Sequence, residues 1–250
     1  MADRLPPRIF APARRRHAWS RALSRNDAAD TARFVEDAIV EDMIERLDFM
    51  RAAPSRTLVI GELGTALSDR LAKAGDVVRA TPLDFKEESP VEGGPFDFVA
   101  NLGTLASVND LPGALLHLRT ALAHDGLLMA SLVGAGSLSH LRRAMIAAEP
   151  DRAVPRMHPV IDTRSATALL ERAGFRRFVV DSWPITVGYR SLDRLVSDLR
   201  DQGLGNQLAQ PGPPLSRAAM ERARTAFASG ADEDGRVVES FEILTLTGWA

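Results

Sequence analysis

Apolar positions along this chain follow two rhythms: short unbroken runs, and longer stretches with an apolar residue every three or four. Phe34, Ala38, Ile39, Met43, Leu47 and Met50 recur at helical steps, so an amphipathic helix is predicted over 30–50, stopped by Pro54. Thr57 to Ile60 reads as a buried strand, Gly61 as a turn, and Leu67, Leu71 and Ala74 as one face of a helix that ends at Gly75. "DVVRA" at 76–80 begins a second strand, and strand, helix, strand in that order predicts a parallel crossover. The third strand, Phe96 to Leu102, follows a connection too short for a helix, a strand and a second helix, so the sheet is expected to lack a strand.

The same rhythms continue downstream. "NDLPGALLHLRTALAHDG" is a helix capped by Asn109 or Asp110, with Pro112 in its first turn and a stripe of Leu111, Leu115, Leu118 and Leu122; Asp125-Gly126 then turns into the strand "LLMASLV". "SLSHLRRAMIAAE" and "DTRSATALLERAGF" are helices, the second capped by Asp162 or Thr163 and closed by Gly174, and "RFVVDSW" is a strand. Two further helices flank the proline-rich "QPGPP" before a last strand, "ESFEILTLTGW". This order predicts an α/β fold, an open and mostly parallel doubly wound (Rossmann-like) sheet of six or seven strands, with N-terminal helices and a helical insertion before the last strand. The expected division is a basic arm and helix over 1–53 and an α/β domain over 54–250 that contains the insertion at 190–230.

Composition narrows the chemistry. There is no cysteine, which removes thiol catalysis and thiolate metal sites, and the five histidines are scattered without the spacing of a zinc helix, so no metal is expected. Net charge is −2, which gives no general argument for nucleic acid. No apolar run approaches the length of a membrane span, and the start of the chain lacks the apolar centre of a secretory signal, so a cytoplasmic location is expected. Arginine far outnumbers Lys73 and Lys86, a bias that hints at a GC-rich bacterial genome. The segment "RLPPRIFAPARRRHAWSRALSR" carries seven arginines. It is a candidate for meeting a protein partner, or a solvated helix that packs through Ile9, Phe10, Trp19 and Leu23.

"NDLPGALLHLRTALAHDGLLMASLVGAGSLSHLRRAM", "LLERAGF", "YRSLDRLVSDLRDQGLGN" and "GRVVESFEILTLTGWA" resemble class I S-adenosylmethionine-dependent methyltransferases. The similar branch includes the biotin-synthesis enzyme BioC and the assembly factors of respiratory complex I. The resemblance implies an antiparallel last strand and S-adenosylmethionine lying across the carboxyl ends of the first strands. It also implies a small-molecule or protein methyl acceptor, with catalytic residues left unknown.

The cofactor positions depart from that family's pattern. Aligned through "ALSDRL", the family's acidic position is Val59 and its three glycines fall at Gly61, Leu63 and Thr65, with Gly64 displaced by one. The carboxylate that would take the ribose hydroxyls is replaced by Thr81, with Asp84 three residues on, an exchange that costs about 1.5–3 kcal/mol of charge-assisted hydrogen bonding. Candidate cofactor residues are therefore Gly61, Glu62, Gly64, Thr81 and Asp84. On the substrate side the candidates are Asn101, at the end of the third strand, and Tyr189, Arg190 and Asn206, which bracket the insertion. A lone glutamate such as Glu62 is more often solvated, and Asn101 more often caps a turn. Three functions stay open: methyl transfer to a small carboxylate or a protein side chain, a binding and assembly module that has lost the cofactor, and a hydroxylase on the same fold. Asp84 folded back to the ribose site favours the first, and Leu63 filling the adenosine space favours the second.

Overall fold

The computed structural model describes residues 8–26, 28 and 30–250; the start of the basic arm, with Asp3 and Arg4, lies outside them. Two helices come first, α1 (Pro12–Arg25) and α2 (Phe34–Phe49). Then follow β1 (Arg56–Ile60), α3 (Ala66–Leu71), β2 (Asp76–Ala80), β3 (Phe96–Leu102), α4 (Leu111–Thr120) and β4 (Leu122–Val133). Helices α5 (Ser139–Ala148) and α6 (Thr163–Ala173) lead to β5 (Arg177–Tyr189). Helices α7 (Leu192–Asp201) and α8 (Arg217–Ala228) form the insertion before β6 (Val237–Trp249).

The six strands lie in the order β2-β1-β3-β4-β6-β5, the first four parallel and β6 antiparallel to both neighbours. The short connection after β2 does leave out a strand, and β2 is the edge. Both faces of the central strands are buried, which explains their continuous apolar runs. On one face Val59, Phe98, Ala100 and Met129 pack with α2, α3, α5, α7 and α8; on the other Leu58, Ile60, Val99 and Leu128 pack with α4 and α6.

The caps follow their chemistry. The Asp110 carboxylate accepts from Gly113 N–H at 2.9 Å and that of Asp162 from Ser165 N–H at 2.7 Å, while Gly174 closes α6 in the left-handed region. Two expectations change. Asp125, with φ +59°, sits in an irregularity of one long strand, so β4 begins at Leu122, which belongs to the sheet rather than to the helix stripe. Strand β5 runs on through Pro184 to Tyr189, because an edge strand can spare the amide hydrogen that proline lacks.

Candidate functional site

At the carboxyl ends of β1 and β3 the chain makes the turn that opens any ligand cleft in such a sheet. Gly61 takes φ +82°, and a Cβ there would fall on the Thr104 methyl and 2.7 Å from the Leu102 carbonyl oxygen. Only glycine fits this position. Gly64 faces Glu36 instead: an added Cβ would lie 3.2 Å from its carboxylate.

Glu36, in the first turn of α2, accepts from the N–H groups of Leu63 and Gly64 at 2.7 Å each. The turn therefore binds a carboxylate of its own chain through two backbone donors. Burial holds the Glu36 carboxyl above its usual range, opposed by those two hydrogen bonds and reinforced by the nearby charge of Glu62. Helix α1 closes the cleft from above, with Trp19 (6% exposed) and Ala22 packing on Leu63 (7% exposed).

Several polar contacts bolt α1 in place. Arg15 forms a bidentate pair with the buried Glu87 and donates to Ser107 Oγ at 3.1 Å and the Thr104 carbonyl at 3.1 Å. Ahead of the helix, Phe10 bridges Leu208, and Ala11 N–H donates to the Gln207 carbonyl at 2.9 Å. Gln207 N–H in turn donates to His158 Nε2 at 2.8 Å, and burial pushes that imidazole down to about 4. The cavity left over the turn is about 60 Å³, lined by Trp19, Glu36, Gly61, Leu63, His158 and Gln207 among others. Beside the turn lies an open hollow of about 540 Å³, where Arg33, Leu63, Arg79 and Thr81 meet.

The sequence candidates are placed as follows. Glu62 is not solvated but 2% exposed, because its carboxylate accepts from Leu67 N–H at 2.7 Å and from Ser68, holding the start of α3. Thr81 donates from both N–H and hydroxyl to Asp84 Oδ1, at 3.0 Å each, so Asp84 does fold back to the end of β2. Leu63 is buried at the turn beneath Trp19 and borders the open hollow. Asn101 is fully buried and its side chain donates to Thr104 Oγ1 at 2.7 Å, while Tyr189 is buried in the opposite layer beside Asp198. Burial pushes the Tyr189 phenol well above its usual range, with the Asp198 charge adding to the effect. Arg190 is exposed, and Asn206 donates to the Arg156 carbonyl at 3.0 Å. None of these four lines the cavity over the turn.

Sequence reading missed Glu36, Arg15, Glu87 and His158. No local signal marks them, since each acts across a separation of at least 27 residues in the chain.

A doubly wound sheet with a ligand cleft at its carboxyl edge defines the class, and comparison supplies the family. Residues 28–179, more than half of the chain, match the family described as "Methyltransferase domain". The chain belongs to the S-adenosylmethionine-dependent methyltransferase family. It is 29% identical over 184 residues to arginine-hydroxylase NDUFAF5, mitochondrial, of Danio rerio, covering 72% of this chain and 57% of that one. The Homo sapiens protein of the same name is 31% identical over 168 residues, 66% of this chain and 49% of that one. The chain thus spans about half the length of these relatives. A malonyl-[acyl-carrier protein] O-methyltransferase of Xylella fastidiosa is 24% identical over 261 residues, 94% of this chain and 86% of that one. A methyltransferase structure from Burkholderia thailandensis shares the fold, with TM-score 0.52 and 13% identity over 100% of this chain and 96% of that one.

Of the cofactor candidates, Gly61 lines the enclosed cavity over the turn, whereas Glu62, Gly64 and Thr81 line the open hollow beside it. Small-ligand pockets take up roughly 300 Å³ or more; the hollow, at about 540 Å³, reaches that size, and the cavity over the turn, at about 60 Å³, does not. The turn's donors are already taken by Glu36, and the Thr81 hydroxyl points its hydrogen at Asp84.

Proposed function

We propose that this chain is a binding and assembly module on the methyltransferase fold, of the respiratory-complex-assembly type, which holds a protein partner rather than transferring a methyl group. The observation that carries this reading is Glu36 on the turn: an internal carboxylate satisfies Leu63 and Gly64 N–H. A donor pair already satisfied by its own chain gains little by exchanging to a ligand. The exposed Arg14, Arg16 and Arg21 on α1 offer a basic surface for an acidic partner.

Methyl transfer to a small carboxylate or a protein side chain is the second reading, favoured by the Asp84 carboxylate at the end of β2, where a ribose acceptor belongs. It would place the cofactor in the open hollow that Gly64 and Thr81 line. Isothermal titration with S-adenosylmethionine and S-adenosylhomocysteine separates the two. The module reading expects no heat from the natural protein and recovered binding in a Glu36→Ala, Leu63→Gly, Thr81→Asp variant. Micromolar binding by the natural protein overturns it.

A further inference from the structure

The strand missing from the sheet leaves its mark on β2. Among the described residues β2 has β1 on one side and no strand on the other. Asp76 N–H donates to the Ser55 carbonyl at 2.8 Å, and the Ala80 carbonyl accepts from Gly61 N–H at 2.9 Å. Backbone groups alternate in direction along a strand, so Val77 and Arg79 turn their N–H and C=O groups outward. Asp76, Val78 and Arg79 are all exposed, Val78 at 45%.

Proteins usually blunt such an edge with short strands, charged side chains, proline, a bulge or a covering loop. The opposite edge, β5, carries Pro184; β2 reads Asp-Val-Val-Arg-Ala, charged at Asp76 and Arg79 but with neither proline nor lysine. Its two flanks differ in chemistry. On the face shared with Ala80, Val78 and the following Leu83 (44% exposed) are apolar. On the face shared with Val59, Arg79 lies 3.7 Å from the Glu62 carboxylate and donates to the Glu62 and Gly64 carbonyls, and the exposed Arg33 lines the hollow of about 540 Å³ beside it.

We propose that β2 captures an extended segment of a partner protein by strand addition, the segment alternating apolar side chains against Val78 with acidic ones against Arg33. The inference rests on the module reading and names the surface such a module uses. Outward backbone groups at Val77 and Arg79 supply the attachment, and the positive charge of Arg33 beside them supplies the choice of partner.

The test is fluorescence anisotropy of the full chain with a labelled decapeptide of alternating valine and glutamate. A valine–lysine peptide is expected to bind at least tenfold more weakly, and Arg33→Glu to reverse that preference. N-methylation then reports the pairing itself. In antiparallel addition the glutamates turn their amides to β2, in parallel addition the valines do, so one methylated series loses binding and the other keeps it. No binding of the valine–glutamate peptide, equal loss in both series, or loss in neither overturns the proposal. So does a chain found by sedimentation to dimerise through β2. Titration of the same preparation with S-adenosylhomocysteine reports separately on the module reading, so either can fail alone.

Discussion

Replacing Glu36 isolates the contact on which the functional reading turns. Its carboxylate accepts two N–H groups at 2.7 Å, and hydrogen bonds to a charged group are worth about 1.5–3 kcal/mol each. The full sum is not expected in Glu36→Ala, because removal also relieves the cost of burying the carboxylate, the dominant influence on its pKa. Gly64 is only partly buried, so water can reach its freed N–H; Leu63 lies beneath Trp19 and its N–H stays unsatisfied. The expected net loss is about 2–3 kcal/mol. Glu36→Gln, though isosteric, should lose as much, since its amide turns N–H toward N–H on one of the two bonds.

The pH dependence has a definite sign. A folded pKa raised above 4.5 means that the contribution of Glu36 is fullest below 4.5 and declines as pH rises through the folded value. The difference between natural protein and Glu36→Ala in urea unfolding should therefore be larger at pH 4.5 than at pH 7.5. Hydrogen exchange at Leu63 should quicken in the variant by at least tenfold. Unchanged stability together with unchanged exchange would refute the claim that the turn is held by its own chain.

Acid should release α1 through His158, whose value of about 4 lies below the unfolded 6.5. Its stabilising effect is complete above 6.5 and is lost as pH falls through 4, in total about 3 kcal/mol. A protonated Nε2 cannot accept from Gln207, so Trp19 fluorescence should report α1 loosening over that window, and His158→Gln should flatten the response. Breaking the buried pair with Arg15→Met should cost about 3–5 kcal/mol by stranding Glu87. The double variant with Glu87→Met should recover most of that loss in thermal unfolding.

The sequence by itself determined the elements and their order, because helix and strand periodicity, caps and glycine stops are local properties. Strands β2 and β3 span Asp76–Ala80 and Phe96–Leu102, the bounds their sequence predicts, and the short connection between them already announced the absent strand. The altered glycine turn was also legible, through Leu63 and Thr81 in place of the expected residues. Only the tertiary structure decided what fills the cleft. Glu36 reaches the turn from a different helix, Arg15 finds Glu87 across 72 residues, and Glu62 becomes a buried cap rather than a solvated acid. These partners are chosen by the packing of α1 and α2 over the sheet edge, a long-range arrangement that no window of the sequence contains.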